Sequence, residues 1–387
     1  MKKIVCCFVL VMVIIIMPVL IAHAEETTVQ KEERFQEYYQ QQAEDSGAND
    51  LPNYLPDETR EQLNQIGIDG VNRNSIQSLQ PNHLFSQILK LLGQGVQTPM
   101  KALLSLLGIM MLCALLNSMK IDLGEKNMGG IMNLIGTLCI CMVVITPVVQ
   151  VIIKLTGVIQ GASTFMLACI PVLTGIMIAN GQTVTASSYH LLMLSTTNSI
   201  SFLSAHFLTP CMNIFLGFSI VSAVSPTLRL HTLCSTISKI VKWVLGFCMS
   251  VFTGLLTVQS LLGGSVDVTT NRTLRFVVSS FVPVVGGALG EALGTVQGCI
   301  KVLKSGVGAF GILAMVFLFL PIFIECMLWQ MTLTVCAGIS DVFDLKQITS
   351  ILHAVSKVMS MMLAILLCTM AMMTISTVVV LMMGGAT

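Results

Sequence analysis

The sequence predicts an all-α polytopic membrane protein with about seven to eight transmembrane helices, arranged as an inverted structural repeat with broken helices. Hydrophobic residues make up 54% of the 387 residues and charged residues only 10%. Several apolar runs exceed the roughly 20 residues that cross a bilayer as a helix. Prolines recur at corresponding places in two parts of the chain. The net charge is +1 and no basic cluster is dense, so binding to nucleic acid is not expected.

The first 24 residues have the pattern of a secretory signal peptide. Lys2 and Lys3 precede an apolar run over 4–21, and small residues end the segment at Ala22-His23-Ala24. Cleavage is therefore expected after Ala24, with an uncleaved signal anchor as the alternative. In both cases the following residues begin outside the cytoplasm.

Residues 25–98 form a polar, extracytoplasmic segment. Twelve of the nineteen acidic residues fall within it. Such a stretch buries little apolar surface, so its first part is expected to be disordered, with order increasing towards the membrane. A short helix is predicted from Asp57 to about Ile66, and an amphipathic helix from about Asn82.

Residues 99–387 form the predicted membrane domain. Eight apolar segments could cross a bilayer, at about 101–119, 131–153, 158–179, 189–223, 240–263, 276–298, 306–338 and 352–384. The sixth contains glycines and a proline that also suit a re-entrant hairpin, so the predicted count is seven to eight. The fourth and seventh are too long for simple crossings, and each contains a proline, Pro210 or Pro321, that favours a break.

Two stretches of this domain, 158–263 and 270–383, resemble each other weakly. FMLACIPVLTG in the first is echoed by FVVSSFVPVVGG in the second. The matched prolines are Pro171 with Pro283 and Pro210 with Pro321. Three crossings in each stretch would invert the second relative to the first, as in many secondary transporters, and broken helices would then mark a midplane site or pathway. Chance similarity between apolar segments is the alternative.

A ladder of glycines lies in the most distinctive apolar segment, 276–298. Its members recur every fourth residue and would form one strip without side chains on a helix, at Gly286, Gly290, Gly294 and Gly298. The strip predicts a seam where another helix packs closely. The alternative is that the strip, together with Glu291, lines a polar path.

Two carboxylates, Glu291 and Glu325, fall inside predicted spans. No Asp or Glu occurs between Lys126 and Asp267, so acidic groups are rare in this domain. One interpretation is a proton or cation site. The other is a structural carboxylate that is protonated or paired, for example with Lys301 or Lys304.

The sequence contains no pattern that predicts catalysis, a cofactor or a metal site. The thirteen cysteines are mostly isolated within predicted helices, where they serve as small apolar residues. H-E-x-x-H, G-x-S-x-G and Walker-type sequences are absent. We therefore do not expect an enzyme, and energy for transport would come from a gradient or from another subunit.

The run that starts at Gly263, GGSVDVTTNRTLRFVVSSFVPVVGGALGEALGTVQG, resembles the signature of the stage III sporulation protein AE family of endospore-forming bacteria. It carries T-x-R-x-[FV] at Thr273 to Val277 and F-[IV]-P-V-[IV]-G at Phe281 to Gly286. A secretory signal, a variable polar segment and a long multi-span body complete the resemblance.

The resemblance implies a subunit of the apparatus that joins the mother cell and the forespore and supports late forespore gene expression. Its implied partners are other membrane proteins of the stage III sporulation A complex and a secretion-type cytoplasmic ATPase. The implied location is the mother-cell membrane around the forespore, in contact with lipids, and self-association is compatible with it. The family supplies no catalytic residues.

Three functions agree with these observations. A channel or export-gate subunit fits the glycine ladder and the predicted broken helices. A gradient-driven carrier of small metabolites or ions fits the inverted repeat and the intramembrane glutamates. A structural scaffold fits the scarcity of charge in the membrane domain.

Overall fold

A computed structural model describes residues 38–71, 81–123, 126–224, 231–281 and 286–382, and the regular structure within them is helical. Residues 38–45 are helical, and a 3₁₀ helix spans Ala48–Tyr54. The eight helices that follow are α1 Asp57–Gln65, α2 Pro81–Leu123, α3 Lys126–Ala179, α4 Thr183–Leu203, α5 Thr209–Val224, α6 His231–Phe281, α7 Gly286–Val342 and α8 Lys346–Met382. A π-helical turn, Ser204–Leu208, joins α4 to α5.

Six helical stretches in the described ranges are long and apolar enough to cross a membrane, which makes this a multi-pass membrane protein. They are Phe85–Ser118, Leu134–Ala179, Thr183–Ser222, Thr232–Val258, Gly298–Val342 and Lys346–Val379. The predicted count of seven to eight is not confirmed. The predicted second and third spans form the single helix α3, and the predicted sixth is divided between the ends of α6 and α7.

Helix α7 lies at the centre of the bundle, in contact with α1, α2, α3 and α8. Every residue from 306 to 320 is buried, and Phe310, Phe319 and Trp329 are among the largest fully buried side chains. Lipid tails are as apolar as these side chains, so close packing between helices, rather than escape from water, accounts for most of this association.

The turn between α7 and α8 folds these two helices into a hairpin. Asp344 adopts a positive φ of 51°, and the Leu345 amide donates to the Ser340 carbonyl over 3.1 Å. The Ser340 and Thr349 hydroxyls, 2.7 Å apart, tie the two helix ends together. Gln330 donates to Ser356 across the same hairpin over 2.8 Å.

A glycine turn also ends α3 and reverses the chain into α4. Gly181 has a φ of 77°, which residues other than glycine rarely adopt without strain. The Gly181 amide donates to Ile178, and the Gln182 amide donates to Met177 over 2.9 Å, so orphan carbonyls at the helix end are satisfied.

Residues 38–71 pack against α3 and α7. The short helix predicted from Asp57 is confirmed as α1, and it ends before Gly67, which has a φ of 83°. The Tyr39 hydroxyl donates to the Val71 carbonyl over 2.7 Å and closes this segment on itself. Residues 25–37, at the start of the segment whose first part is predicted to be disordered, lie outside the described residues, as do the signal segment and Ala24.

The predicted helix break at Pro321 is wrong, because α7 stays helical through this residue. Neighbouring helices that pack around α7 stabilise it despite the missing amide hydrogen, as in other transmembrane helices. Pro210 instead follows the π-helical turn, where the Thr209 hydroxyl donates to the Ser204 carbonyl over 2.9 Å. The helix between residues 183 and 224 is therefore irregular near Pro210 but is not broken by a loop.

The inverted repeat is not confirmed. An offset of 112 residues aligns the turn at residues 180–182 with residues 292–294, which lie inside α7. The similarity had rested on prolines and apolar residues, whereas the Asn180-Gly181 turn signal has no counterpart at the aligned positions. Pro171 lies in α3, and Pro283 falls in 282–285, outside the described residues.

Candidate functional site

An ion pair joins α3 to the central helix α7. Lys154 Nζ donates to both carboxylate oxygens of Glu325, each over 3.0 Å. The two residues are 171 positions apart in the chain. The carboxylate predicted in this span is therefore paired, but with Lys154 rather than with Lys301 or Lys304.

The two partners differ in their exposure. The Lys154 side chain is 58% exposed on the outer surface of the chain, and the Glu325 side chain is 21% exposed. A single charge at the bilayer centre costs about 2.5 to 3.5 kcal/mol on insertion scales, so charges in spans are normally paired or face water. The negative charge of Glu325 is therefore compensated mainly by Lys154. The Lys154 side chain, in contrast, is also exposed at the surface of the chain.

A second polar contact lies close by along α3. The hydroxyls of Thr156 and Thr209 are 2.8 Å apart, which ties α3 to the start of α5. Thr156 also donates to the Ile152 carbonyl over 3.1 Å. The π-helical turn that precedes Thr209 is thus anchored two residues along α3 from the ion pair.

Comparison with known proteins identifies the family. Residues 68–384 match the family described as Stage III sporulation protein AE. The chain belongs to the stage III sporulation protein AE family. It is 29% identical over 157 residues to stage III sporulation protein AE of Bacillus subtilis (strain 168), a match that covers 41% of this chain and 39% of the relative. No solved structure matches.

The family match contains the ion pair and the glycine ladder. Gly286, Gly290, Gly294 and Gly298 all lie in α7, so their spacing does place them on one helical strip. Gly298 is half-buried. The surroundings of the other three and the side chain of Glu291 lie outside the described part of the chain, so the packing seam and the polar path both stay predictions.

The three predicted site prolines that the structure describes do not come together as one site. Pro171 is exposed on α3, and Pro210 is at the start of α5. Pro321 is partly buried on α7, four residues before Glu325, and therefore lies on the same face as that carboxylate. Of these prolines, only Pro321 lies within about one helical turn of a residue of the ion pair.

Lys304 on α7 is a buried cation that the sequence did not single out as buried. The residue is 3% exposed, and among the described residues its Nζ has no hydrogen-bond partner. Lys301, one turn earlier, is exposed. The sequence placed both lysines in a loop between two spans, but α7 is continuous there.

No group of three or more His, Cys, Asp or Glu side chains in the described ranges could hold a metal ion. None of the eleven cysteines with described side chains is in a disulfide, and most are buried or half-buried within helices. This part of the chain offers packing contacts and the Lys154–Glu325 ion pair between α3 and α7.

Lys154 is the residue of the ion pair that sequence reasoning missed. It had been placed in a loop between two predicted spans. A usable signal existed, because Lys154 is the only Lys, Arg, Asp or Glu between Lys126 and Arg229, and Glu325 is the only one between Lys304 and Asp341. A lone cation and a lone anion in two long apolar stretches are natural partners.

Proposed function

We propose that this chain is the multi-span subunit of a channel or secretion-like apparatus that joins the mother cell and the engulfed forespore. Membership of the stage III sporulation protein AE family over residues 68–384 is the observation that carries the proposal. In this role the protein supports late gene expression in the forespore. It resides in the mother-cell membrane around the forespore, with residues 25–98 outside the cytoplasm after removal of the signal peptide.

The proposed partners are the other membrane proteins of the stage III sporulation A complex and a secretion-type cytoplasmic ATPase. The long helices and the glycine ladder of α7 suit a subunit that packs tightly with other membrane helices. A partner ATPase would supply the energy, because this chain carries no nucleotide-binding motif.

The second candidate function is a carrier driven by an ion gradient, and the intramembrane carboxylates favour it. A proton-coupled carrier needs a carboxylate that gains and loses its charge as access alternates. Glu325 accepts hydrogen bonds from Lys154 through both of its carboxylate oxygens. A carboxylate that is already in an ion pair between two helices of the chain suits a structural role, which supports a channel subunit or scaffold.

Deletion of the gene in the organism that carries this chain tests the proposal. We expect engulfment to finish while late forespore reporters stay silent and heat-resistant spores fall by several orders of magnitude, with recovery on re-expression of the chain. Normal spore counts and reporter activity in the deletion strain would reject the proposed function.

Amide variants separate the channel from the carrier. Glu291→Gln and Glu325→Gln keep size and hydrogen-bonding groups, so a conduit should retain substantial sporulation with either. Loss of all activity in an amide variant that accumulates at the normal level would support the carrier instead.

A further inference from the structure

The outer face of α3 carries a stripe of polar residues where a membrane helix would normally present apolar ones. We define this polar stripe by five exposed polar residues and one exposed glycine, which are Thr146, Gln150, Lys154, Gly157, Gln160 and Thr164. Between its first and last residue, Ile153 is the only other exposed residue of α3. Helical geometry of 3.6 residues per turn puts all six within about 120° of the helix circumference, and Ile153 lies within the same arc.

The opposite face of α3 is packed into the bundle. Val148, Ile152 and Ile159 are fully buried there, so the direction of the stripe is fixed by packing. A side chain added at Gly157 would meet nothing within 4 Å. The stripe therefore faces out of this chain.

No placement of α3 across a bilayer hides the stripe from the hydrocarbon region. The candidate span Leu134–Ala179 has 46 residues, whereas a crossing needs about 20. Any 20-residue window within this span contains at least two members of the stripe. The full stripe is about 27 Å long at 1.5 Å per residue, which is close to the roughly 30 Å thickness of the hydrocarbon core.

The outward face of α2 is apolar, as contact with lipid requires. On α2, Leu104, Met111, Leu112 and Leu115 are each at least 60% exposed. Lipid solvates such side chains well but solvates glutamine and lysine poorly. The outward face of α3 is therefore more polar than that of α2.

The composition of the stripe favours water over a dry protein contact. Dry helix seams in membranes are enriched in small residues, and glutamines can form hydrogen bonds across them. The ammonium group of Lys154, whose side chain is 58% exposed, is instead the kind of group that faces a water-filled cavity. Its glutamate partner holds the lysine side chain to the helix surface without covering it.

We propose that the polar stripe of α3 forms one wall of a water-filled path across the membrane, closed on its other sides by further chains of the complex. This rests on the proposed function and deepens it by assigning the face that meets the transported solutes. Polar or charged solutes are the class that such a wall admits. Pro56, in the segment predicted to be extracytoplasmic, lies beside Gly161 and places one end of the path near that segment.

Cysteine accessibility in the native complex tests this wall. Gln150→Cys, Gly157→Cys and Gln160→Cys are made singly in the full chain, in membranes from sporulating cells. The probe is a charged, membrane-impermeant methanethiosulfonate. Controls are Val148→Cys on the buried face, Leu112→Cys on the apolar face of α2, and the parent chain with its native cysteines.

The reactive species is the thiolate, which forms readily only in contact with water. We expect the three stripe positions to react at least tenfold faster than both control positions, in variants that still produce spores. Rates equal to that of Leu112→Cys would overturn the inference and assign the stripe to lipid. A second result would also overturn the inference: the stripe positions react fast in the detergent-dispersed chain but slowly in the complex. This would show that another subunit covers the stripe in a dry contact.

The two proposals fail in different ways. A deletion strain that sporulates normally rejects the function of the chain. Slow thiol reaction in variants that sporulate normally rejects only the water-filled path.

Discussion

The Lys154–Glu325 ion pair should respond unequally to the removal of its two charges. Lys154→Met leaves a carboxylate whose side chain is only 21% exposed without its cation. Glu325→Gln leaves a lysine that is 58% exposed, with an amide oxygen that still accepts a hydrogen bond from it. The lysine replacement should therefore destabilise the protein more than the glutamate replacement.

The expected sizes follow from burial. A largely buried charged group without its partner costs about 2 to 3 kcal/mol, at the upper end for an unsatisfied polar group. An exposed ion pair contributes only about 0 to 1 kcal/mol, so the loss for Glu325→Gln should stay within that range. The double variant should be more stable than Lys154→Met alone by about 1 kcal/mol or more, because it has no buried charge to compensate.

A double-mutant cycle on the purified chain in detergent measures these differences as free energies of unfolding. A control at Lys357, an exposed lysine on α8, reports the effect of removing a surface lysine by Lys357→Met. Equal losses for the two single variants would refute the reasoning from burial. Additive losses in the double variant would show that the two groups do not interact.

Three further predictions concern the signal segment and the glycines. The mature chain should lack its first 24 residues, and intact-mass measurement of the membrane-extracted protein checks this. Gly290→Leu combined with Gly294→Leu should abolish sporulation, because the added side chains would force apart helices that the glycine ladder lets approach. The control Gly254→Leu should not, since a side chain added at Gly254 has no neighbour within 4 Å. Gly161→Leu should loosen residues 38–71 and speed their proteolysis, because an added Cβ would lie 3.2 Å from a proline ring, while Gly157→Leu should leave the rate unchanged.

Composition and apolar run length predicted the helical class and the membrane location, and the sequence Pro56-Asp57-Glu58 predicted the short helix α1. These features follow from local properties: hydrocarbon thickness sets the length of a span, and a run of acidic residues with Pro56 marks the start of a helix. The family resemblance was also correct, because its motif lies in a compact stretch of sequence.

Helix continuity could not be predicted in the same way. Lys154 and Lys301 suggested loops because charge normally marks the end of a span, yet α3 and α7 run through them. The decisive contacts join positions far apart in the chain, such as Lys154 with Glu325 and Thr156 with Thr209. Helix α7 likewise continues through Pro321, because helices that are distant in the sequence pack around it.

The polar stripe illustrates the same limit. Its six members occur at ordinary helical spacing, but two of them fall in the predicted loop at 154–157, which divides the other four between two spans. Only the continuous helix α3 brings Thr146 and Thr164 onto one face. A sequence pattern can therefore be regular and still go unrecognised when the element that carries it is assigned wrongly.

Affinity purification of the tagged chain from sporulating cells at the end of engulfment tests the assignment to the mother cell–forespore apparatus most directly. Quantitative mass spectrometry should find the secretion-type ATPase and the other stage III sporulation A membrane proteins enriched at least tenfold over a purification of an unrelated multi-pass protein. Recovery of the chain without enrichment of any of these proteins, under conditions that keep membrane complexes intact, would contradict the assignment.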